Sequence, residues 1–192
     1  MIAGIVLAAG RSRRMGEPKP FLRLGGATFL ERAVHALRDG GCDVVWVVAA
    51  AGDERVAEAA SALGARVALN PDADSEQLDS LRIGLRALPG EAEAAAVLPV
   101  DIPEADAVRA VVDAFRATRA PVVVPAREGK HGHPVLFARA AWPELLDADL
   151  PDGARTVVHA HAHDRVEVPV AALPDDVDTP DDLRRLRERT GA

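Results

Sequence analysis

Apolar residues along this chain fall into two alternating patterns, which together predict a parallel sheet flanked by helices. Short uninterrupted apolar runs have the length of buried strands, and between them apolar residues recur every three or four positions, as on one face of a helix. The predicted strands are residues 2–8, 43–50, 65–69, 94–100 and 121–125. Strands that alternate with helices are typical of α/β proteins, because a helix returns the chain to the start of the next parallel strand.

A helix is predicted between each strand and the next. The first begins at Thr28, which forms a capping-box pattern with Glu31, and ends at Gly40 and Gly41. The other three are indicated by apolar residues at helical spacing: Val56, Ala60 and Leu63; Leu78, Leu81, Leu85 and Leu88; and Val108, Val111, Val112 and Phe115.

The pattern changes after residue 125. Residues 128–134 are rich in turn formers and 134–137 read as a short strand, so an antiparallel excursion is predicted at the edge of the sheet. The remaining predicted elements are short helices at 139–147 and 153–161, a late strand at 165–170 and a closing helix at 180–189 that has proline in its first turn.

Composition limits the class of protein. A chain of 192 residues that is 48% hydrophobic can bury a full core, so residues 1–192 are expected to form one domain. The net charge of -7 argues against a general binder of nucleic acids or membrane surfaces. A single cysteine, Cys42, excludes a disulfide framework, and the apolar start is too short for a membrane anchor. We therefore expect a cytoplasmic protein without nucleic-acid or membrane partners.

The first strand leads into a glycine-bounded, cation-rich loop, residues 7–19, with the sequence LAAGRSRRMGEPK. Gly10 and Gly16 allow backbone N–H groups to approach an anion closely. Because five residues separate these glycines and Glu17 follows them, the loop is not a Walker A loop, and it lacks the dinucleotide fingerprint. The pattern predicts a phosphate-binding loop whose opposite charge is supplied by four cations, Arg11, Arg13, Arg14 and Lys19.

Two carboxylates stand where a metal ion could be held against phosphates. Asp101 directly follows the strand 94–100, and Asp178 follows a strand-like segment and precedes the closing helix. Ligands of open parallel sheets bind beyond the carboxyl ends of strands, and carboxylates are ligands for Mg²⁺. Each also has a structural alternative: Asp101 as the N-cap of a helix at 104–116, and Asp178 as part of an ordinary Asp-Thr-Pro cap. Together with the first loop, the pair favours a metal–phosphate site.

Histidines add two further hypotheses. His133, between Gly132 and Pro134, is expected to contact an acceptor or a phosphate, with a turn histidine satisfied by backbone as the alternative. Imidazoles at 159, 161 and 163 could bind Zn²⁺, but a solvated helix end is the favoured interpretation because no carboxylate or cysteine is clearly committed to such a site.

Residues 7–19 resemble the signature of the MobA-like nucleotidyltransferases, which transfer a nucleoside monophosphate from an NTP to a phosphorylated acceptor. The resemblance runs nearly end to end, through residues 24–31, 98–103 and 177–183. Residues 132–137 and 153–155 are similar to elements of the molybdenum cofactor cytidylyltransferases, the branch that uses CTP.

The resemblance implies a three-layer, doubly wound and mostly parallel sheet of the Rossmann-like nucleotidyltransferase type. It also implies the site. Catalytic roles fall on Arg14, Lys19 and Asp101, Mg²⁺ is held by Asp101 and Asp178, and the acceptor is bound by His133 and Arg155. The implied nucleotide-binding residues are Leu7, Ala8, Ala9, Gly10, Arg11, Ser12, Arg14, Lys19, Ser80 and Asp101.

CTP is the expected donor and molybdopterin the expected acceptor, with a molybdoenzyme as a partner that receives the product. Ala9 in place of glycine favours CTP over GTP, whereas residues 76–79 depart from the glycine- and serine-rich run of the cytidylyltransferases. Two alternatives therefore stay open. One is a guanylyltransferase acting on molybdopterin or a small phosphorylated acid, and the other is a non-catalytic module that binds nucleotides or chaperones a cofactor.

Overall fold

The computed structural model describes residues 1–10, 15–72, 74–147 and 149–191, and the elements below lie in these ranges. The strands are β1 (Ile2–Leu7), β2 (Arg23–Leu24), β3 (Ala27–Thr28), β4 (Val44–Ala50), β5 (Arg66–Asn70), β6 (Ala94–Pro99), β7 (Val122–Arg127), β8 (Lys130–His131), β9 (Val135–Ala138) and β10 (Val166–Pro169). The α-helices are α1 (Phe29–Asp39), α2 (Glu54–Ala62), α3 (Gln77–Ala87), α4 (Val108–Thr118), α5 (Trp142–Leu146), α6 (Ala154–Ala160) and α7 (Pro180–Thr190). Short 3-10 helices span Lys19–Phe21 and Arg139–Ala141. None of the helices in the described ranges is long and apolar enough to cross a membrane.

The main sheet has the strand order β10-β7-β9-β6-β1-β4-β5, with β8 paired to β7. Strand β1 pairs in parallel with both β4 and β6, so the chain builds one half of the sheet and then returns to the other side of β1. This reversal of strand order opens a crevice at the carboxyl ends of β1 and β6, which is where doubly wound sheets bind ligands.

Helices cover both faces of the sheet, so the predicted fold class is confirmed. One apolar core packs residues of α1, α2, α4 and α7 against the sheet. The second core packs residues of α3, α5 and α6 against the opposite face. The capping box predicted at Thr28 and Glu31 is present at the start of α1. Because both faces are covered, the strands between them are apolar throughout, as β1 and β6 are.

The antiparallel segment lies in a different place from the one predicted. Strand β9 runs antiparallel between β6 and β7, inside the sheet, whereas an excursion at the sheet edge was expected. Strands β7 and β8 form a hairpin through Glu128 and Gly129, both of which have positive φ. Residues 132–134 then interrupt the returning strand before β9. Since Val135 pairs with Val97, this interruption lies beside the carboxyl end of β6.

Two glycines allow the helical layers to approach the central strands. Gly4 of β1 faces Leu37 of α1, and Gly84 of α3 faces β1 and β4 on the opposite side. A Cβ at Gly84 would lie 2.9 Å from Cγ2 of Ile5 and 3.1 Å from Cγ2 of Val48, both of which are short branched groups. The absence of a Cβ at Gly84 is therefore required for the close packing of α3 on the sheet.

We predict that Gly84→Val lowers the free energy of unfolding by about 1–3 kcal/mol, because the added methyl groups overpack the contact with Ile5 and Val48. Urea denaturation measures this loss. Gly90→Val is the matched control, since a Cβ there meets no atom of the described residues within 4 Å, and its effect should stay within about 0.5 kcal/mol. Equal losses in both variants would contradict the packing argument.

Candidate active site

Three charged side chains from distant parts of the chain meet at the carboxyl end of the sheet. Lys19 begins the short helix after the first loop, Asp101 follows β6, and Asp178 precedes α7. The ammonium Nζ of Lys19 lies 2.7 Å from Oδ2 of Asp101 and 2.5 Å from Oδ1 of Asp178. The structure thus brings together the residues that the sequence placed in one site.

Backbone hydrogen bonds hold these carboxylates in place. Val100 donates its N–H to the carbonyl of Leu7 at 3.1 Å, which continues the pairing of β6 with β1 up to Asp101. Val177 donates to the carbonyl of Asp101 at 3.0 Å, and so fixes the chain just before Asp178. The backbone N–H of Asp178 in turn donates to Oδ2 of Asp182 at 3.2 Å.

The structure corrects the local setting of both carboxylates. Asp101 is not a helix N-cap, because α4 starts at Val108 and its cap is Ala107. Asp178 does not follow a strand, since residues 172–178 are irregular. Helix α7 is capped by Thr179 together with Asp182, and Asp178 instead directs its carboxylate at Lys19. The capping alternative therefore explains neither carboxylate.

The charges in this cluster influence one another strongly. Burial lowers the pKa of the Lys19 ammonium, but its hydrogen bonds to Asp101 and Asp178 outweigh this and raise the pKa above its usual value. Lys19 therefore stays protonated at neutral pH. A nearby third carboxyl, Asp176, has a pKa raised by burial and by the charges of Asp101 and Asp178. The site is one in which negative charge collects and a cation is favoured.

The donor set fits a divalent metal ion whose remaining ligands come from a bound phosphate. Oxygens of Asp101 and Asp178 converge on one point, where the ammonium of Lys19 lies. Within the described ranges, no group of three or more histidine, cysteine or acidic residues forms a complete metal cage. Mg²⁺ is commonly bound in this way, through one or two carboxylates plus substrate phosphates and water.

The loop after β1 borders the cluster. Leu7, Ala8 and Ala9 are buried, and the N–H of Ala8 donates to the carbonyl of Val48 at 2.9 Å, while Gly10 is exposed. The backbone thus emerges from the sheet at the point where the sequence predicts a nucleotide. Residues 11–14, which include the predicted Arg11, Ser12, Arg13 and Arg14, lie outside the described residues, and their roles stay predictions.

Ser80 and Asn70 form a buried polar network between the end of β5 and α3. Asn70, at the end of β5, is 1% exposed and donates from Nδ2 to Oγ of Ser80 at 2.9 Å and to Oγ of Ser75 at 2.7 Å. Its Oδ1 accepts from the N–H of Asp72 at 3.0 Å. The network holds the turn before α3. Ser80 was identified from the sequence, whereas the part played by Asn70 was missed, although a polar residue at a strand end was a usable signal.

A cavity of about 700 Å³ adjoins the end of β1. It is bounded by Leu7, the start of α3, the β7–β8 hairpin and the start of α6. Basic and titratable side chains predominate over the carboxylates Glu76 and Asp152 in its lining: Lys130, His131, His133, Arg155 and His159. The two residues predicted to bind the acceptor, His133 and Arg155, therefore line one cavity.

His133 reaches from this lining into the protein, so that its ring nitrogen Nδ1 is buried. Burial lowers its pKa, with the nearby carbonyl of Val97 and the charge of Asp101 acting in the opposite direction, so the imidazole is neutral at neutral pH. Its Nδ1 is buried and has no hydrogen-bond partner among the described residues. An orphaned buried nitrogen is costly, which is consistent with a group that a ligand completes.

Arg82 is a residue whose importance the sequence did not reveal. From α3 its guanidinium donates to the carbonyl of Leu145 at 3.0 Å and to the carbonyl of Asp147, and it pairs with Asp79 at 3.4 Å. These contacts tie α3, which carries Ser80, to the chain leading into α6. Arg82 thereby holds α3 against the end of α5.

The histidines near the end of α6 engage carboxylates. His161 contacts Oε1 of Glu144 through Nε2 and Oδ1 of Asp164 through Nδ1, both at 3.0 Å. Its ring stacks on that of His163 with the centroids 6.4 Å apart. Through Nε2, His161 joins the end of α6 to α5, and through Nδ1 it contacts Asp164 in the following turn. Carboxylates thus engage both ring nitrogens, which differs from the Zn²⁺ alternative.

Comparison with known proteins identifies the family. The family model of the MobA-like NTP transferase domain matches residues 4–166. The chain belongs to this family. A probable molybdenum cofactor guanylyltransferase of Mycobacterium avium (strain 104) is 32% identical over 198 residues, which cover 97% of this chain and 95% of that protein. The molybdenum cofactor cytidylyltransferase of Escherichia coli (strain K12) is 25% identical over 189 residues, covering 96% and 95%.

Solved structures agree with this membership. The crystal structure of Rv0371c from Mycobacterium tuberculosis H37Rv superposes with a TM-score of 0.85 at 31% identity and 98% coverage of both chains. Its complex with manganese gives 0.80 at 29% identity, with 97% of this chain and 98% of that chain covered. Some curated matches are short: the chain spans 28% of a probable molybdenum cofactor guanylyltransferase of Bacillus cytotoxicus and 25% of a bifunctional IPC transferase and DIPP synthase of Rubrobacter xylanophilus.

We predict a pH-dependent contribution of His161 to stability. Burial lowers its pKa, but Glu144 and Asp164 raise it to a net value above 6.5. The protonated contact therefore stabilises the fold fully below pH 6.5 and is lost as pH rises through the raised pKa. The difference in unfolding free energy between wild type and His161→Gln should shrink from pH 5 to pH 8, as measured by urea denaturation.

His159→Gln is the control for this series, because His159 is exposed in the last turn of α6 and makes no side-chain hydrogen bond or ion pair with the described residues. Its difference from wild type should stay constant over the same pH range. If the difference in unfolding free energy between wild type and His161→Gln also stays constant with pH, the protonated contacts of His161 with Glu144 and Asp164 do not stabilise the fold.

Proposed function

We propose that this protein is a metal-dependent nucleotidyltransferase, which moves a nucleoside monophosphate from an NTP to a phosphorylated acceptor of the molybdopterin class and releases pyrophosphate. The observation that carries the proposal is the convergence of Lys19, Asp101 and Asp178 at the carboxyl ends of β1 and β6. A cation, two metal-binding carboxylates and a phosphate loop are the groups that phosphoryl-type transfer needs.

We propose GTP as the donor, with CTP as the alternative. The relative that covers nearly the whole chain at 32% identity is named a guanylyltransferase, whereas the cytidylyltransferase relative is 25% identical. The guanylyl alternative is therefore better supported than the CTP expectation, which rested on residues 132–137 and 153–155 and on Ala9. None of these residues lies in the turn at 70–76 that borders Ser80.

The proposed reaction needs no protein nucleophile. An oxygen of the acceptor's phosphate attacks the α-phosphorus of the NTP, and a P–O bond forms as the bond from the α-phosphorus to the bridging β-oxygen breaks. Pyrophosphate leaves with that bonding pair. The acceptor phosphate is already ionised at neutral pH, so proton removal contributes little. Positioning and stabilisation of charge account for most of the catalysis.

The charged residues divide into two groups in this scheme, carboxylates that would hold the metal ion and cations that would bind the phosphates. Asp101 and Asp178 would hold the metal ion, which neutralises charge on the phosphates when it is bound. Lys19 and the predicted Arg14 would bind the β- and γ-phosphates and stabilise the pyrophosphate as it leaves. The backbone at Ala8 to Gly10 would approach the nucleotide closely, and Ser80 with Asn70 would shape the pocket for the base and ribose.

The cavity next to β1 is the proposed acceptor site. Its lining holds Lys130 and Arg155, which suit an anionic acceptor, and Leu7 connects it to the phosphate loop. His133 lies beside the end of β6, so it would meet the acceptor close to the metal site. We also propose that a molybdoenzyme receives the product. A cytoplasmic location completes the proposal, in keeping with the buried free thiol of Cys42.

The decisive experiment measures pyrophosphate release with molybdopterin, Mg²⁺ and either GTP or CTP. We expect release with GTP, and we expect Asp101→Asn to lower kcat by about 100-fold or more, since it weakens the metal site. Asp113→Asn, at an exposed carboxylate of α4, is the control and should keep wild-type rates and the same melting temperature. Faster release with CTP would overturn the choice of donor. Binding of NTPs without any release would favour the non-catalytic module.

A second prediction concerns the acceptor. Arg155→Ala should raise the KM for the acceptor by about 10- to 100-fold, because a charge-assisted hydrogen bond is worth about 1.5–3 kcal/mol. The KM for the NTP should change less than about twofold. Steady-state kinetics with each substrate varied in turn test this. Arg184→Ala, on an exposed turn of α7, is the matched control. An equal rise in both KM values would remove Arg155 from acceptor binding.

A further inference from the structure

The ammonium of Lys19 stands between the two carboxylates that would hold the proposed metal ion. It is within 2.7 Å of Oδ2 of Asp101 and 2.5 Å of Oδ1 of Asp178. Mg²⁺ binds its oxygen ligands at about 2.0–2.1 Å, which is shorter than either distance. A metal ion on the same two oxygens would therefore collide with the ammonium, and both would carry positive charge.

We propose that Lys19 closes the metal site of the nucleotide-free protein, so that the divalent cation enters together with the NTP while Lys19 moves to the phosphates. This inference rests on the proposed function, because it concerns the same site. It adds an order of binding, in which the metal ion does not bind before the NTP. The separate roles of Lys19, Asp101 and Asp178 do not imply this order. Lys19 is thus both a ligand for the phosphates and the group that keeps free metal out.

The exchange is favourable only when the nucleotide is present. If free metal displaced Lys19, a partly buried ammonium would lose two carboxylate partners, which is costly. A metal–NTP complex brings the metal and also a new partner for Lys19, since the β- and γ-phosphates are negatively charged. The carboxylates exchange an ammonium for a metal ion, and the ammonium exchanges carboxylates for phosphates.

Removing the ammonium should open the site to free metal. Without the ammonium of Lys19, Asp101 and Asp178 lose the positive charge that both contact, while Asp176 stays nearby, so the added negative charge favours binding of a cation. Lys19→Met keeps the length of the side chain and deletes its charge. The chain has one other lysine, Lys130, which lines the cavity and offers a matched control for the loss of one positive charge.

The test measures Mn²⁺ binding to the full-length protein without nucleotide, from the electron paramagnetic resonance signal of free Mn²⁺. We expect Lys19→Met to bind Mn²⁺ at least tenfold more tightly than wild type. Lys130→Met should bind as wild type does, and Lys19→Arg, which keeps the charge, should stay closed to the ion. Adding Asp101→Asn to Lys19→Met should abolish the gain.

Wild type should gain at least tenfold in Mn²⁺ affinity, beyond the affinity of Mn²⁺ for GTP itself, when GTP is added. The gain should be smaller in Lys19→Met. Equal Mn²⁺ binding by wild type and Lys19→Met without nucleotide would overturn the proposal, and so would an equal increase in Lys130→Met. Melting temperatures with and without Mn²⁺ provide the second measurement should Lys19→Met be poorly folded: Mn²⁺ should stabilise this variant and leave wild type unchanged.

The outcome is separable from that of the proposed function. Mn²⁺ binding without nucleotide reports only on Lys19 and the carboxylates, whereas pyrophosphate release reports on transfer. Tighter binding by Lys19→Met with no release from any NTP would leave the closed metal site standing and overturn the transferase. Release of pyrophosphate from GTP, together with equal Mn²⁺ binding by wild type and Lys19→Met, would support the transferase and overturn the closed metal site.

Discussion

The ion-paired cluster of Lys19, Asp101 and Asp178 is the constraint on which the arrangement of the site depends. Its two contacts join residues that are 82 and 159 positions apart in the chain. Partly buried charges are tolerated only when they are paired, so the loop after β1, the end of β6 and the start of α7 must converge with little freedom. The backbone bonds from Val100 to Leu7 and from Val177 to Asp101 provide that convergence before any ligand binds.

The topology of the sheet explains why the cluster lies beside a cavity. Because the chain builds the β4 and β5 side first and then returns to β6, a crevice remains above β1. On the far side of β6, the inserted β9 brings residues 132–134 to the same edge of the sheet. Insertion of the antiparallel strand β9 therefore places His133, which precedes β9, near Asp101, which follows β6, in a sheet whose other long strands are parallel.

Sequence reasoning worked where the signal is local. Helix periodicity, the capping box at Thr28 and the strand preceding Asp101 depend on neighbouring residues, and the structure has each of them. The position of β9 depends on which distant strands pair, which no local pattern specifies. Strands β2 and β3 have two residues each and leave no periodic trace. The tasks of Asn70 and Arg82 arise from contacts across the fold, so their residue types alone gave little indication of them.

The charged cluster, the segment around Ser80 and the cavity lie in different parts of the fold. Their separation bears on how one fold could accommodate different nucleotides and acceptors. The charged cluster is suited to phosphates, which every NTP carries, and it cannot distinguish one base from another. In the proposed function, discrimination of the base is assigned to the segment around Asn70, Ser75 and Ser80, which hydrogen bonds from Nδ2 of Asn70 hold together. The same proposal assigns acceptor choice to the cavity lined by His133 and Arg155. Arg82 is a direct link between these two parts of the fold, because its guanidinium joins α3, which carries Ser80, to the end of α5.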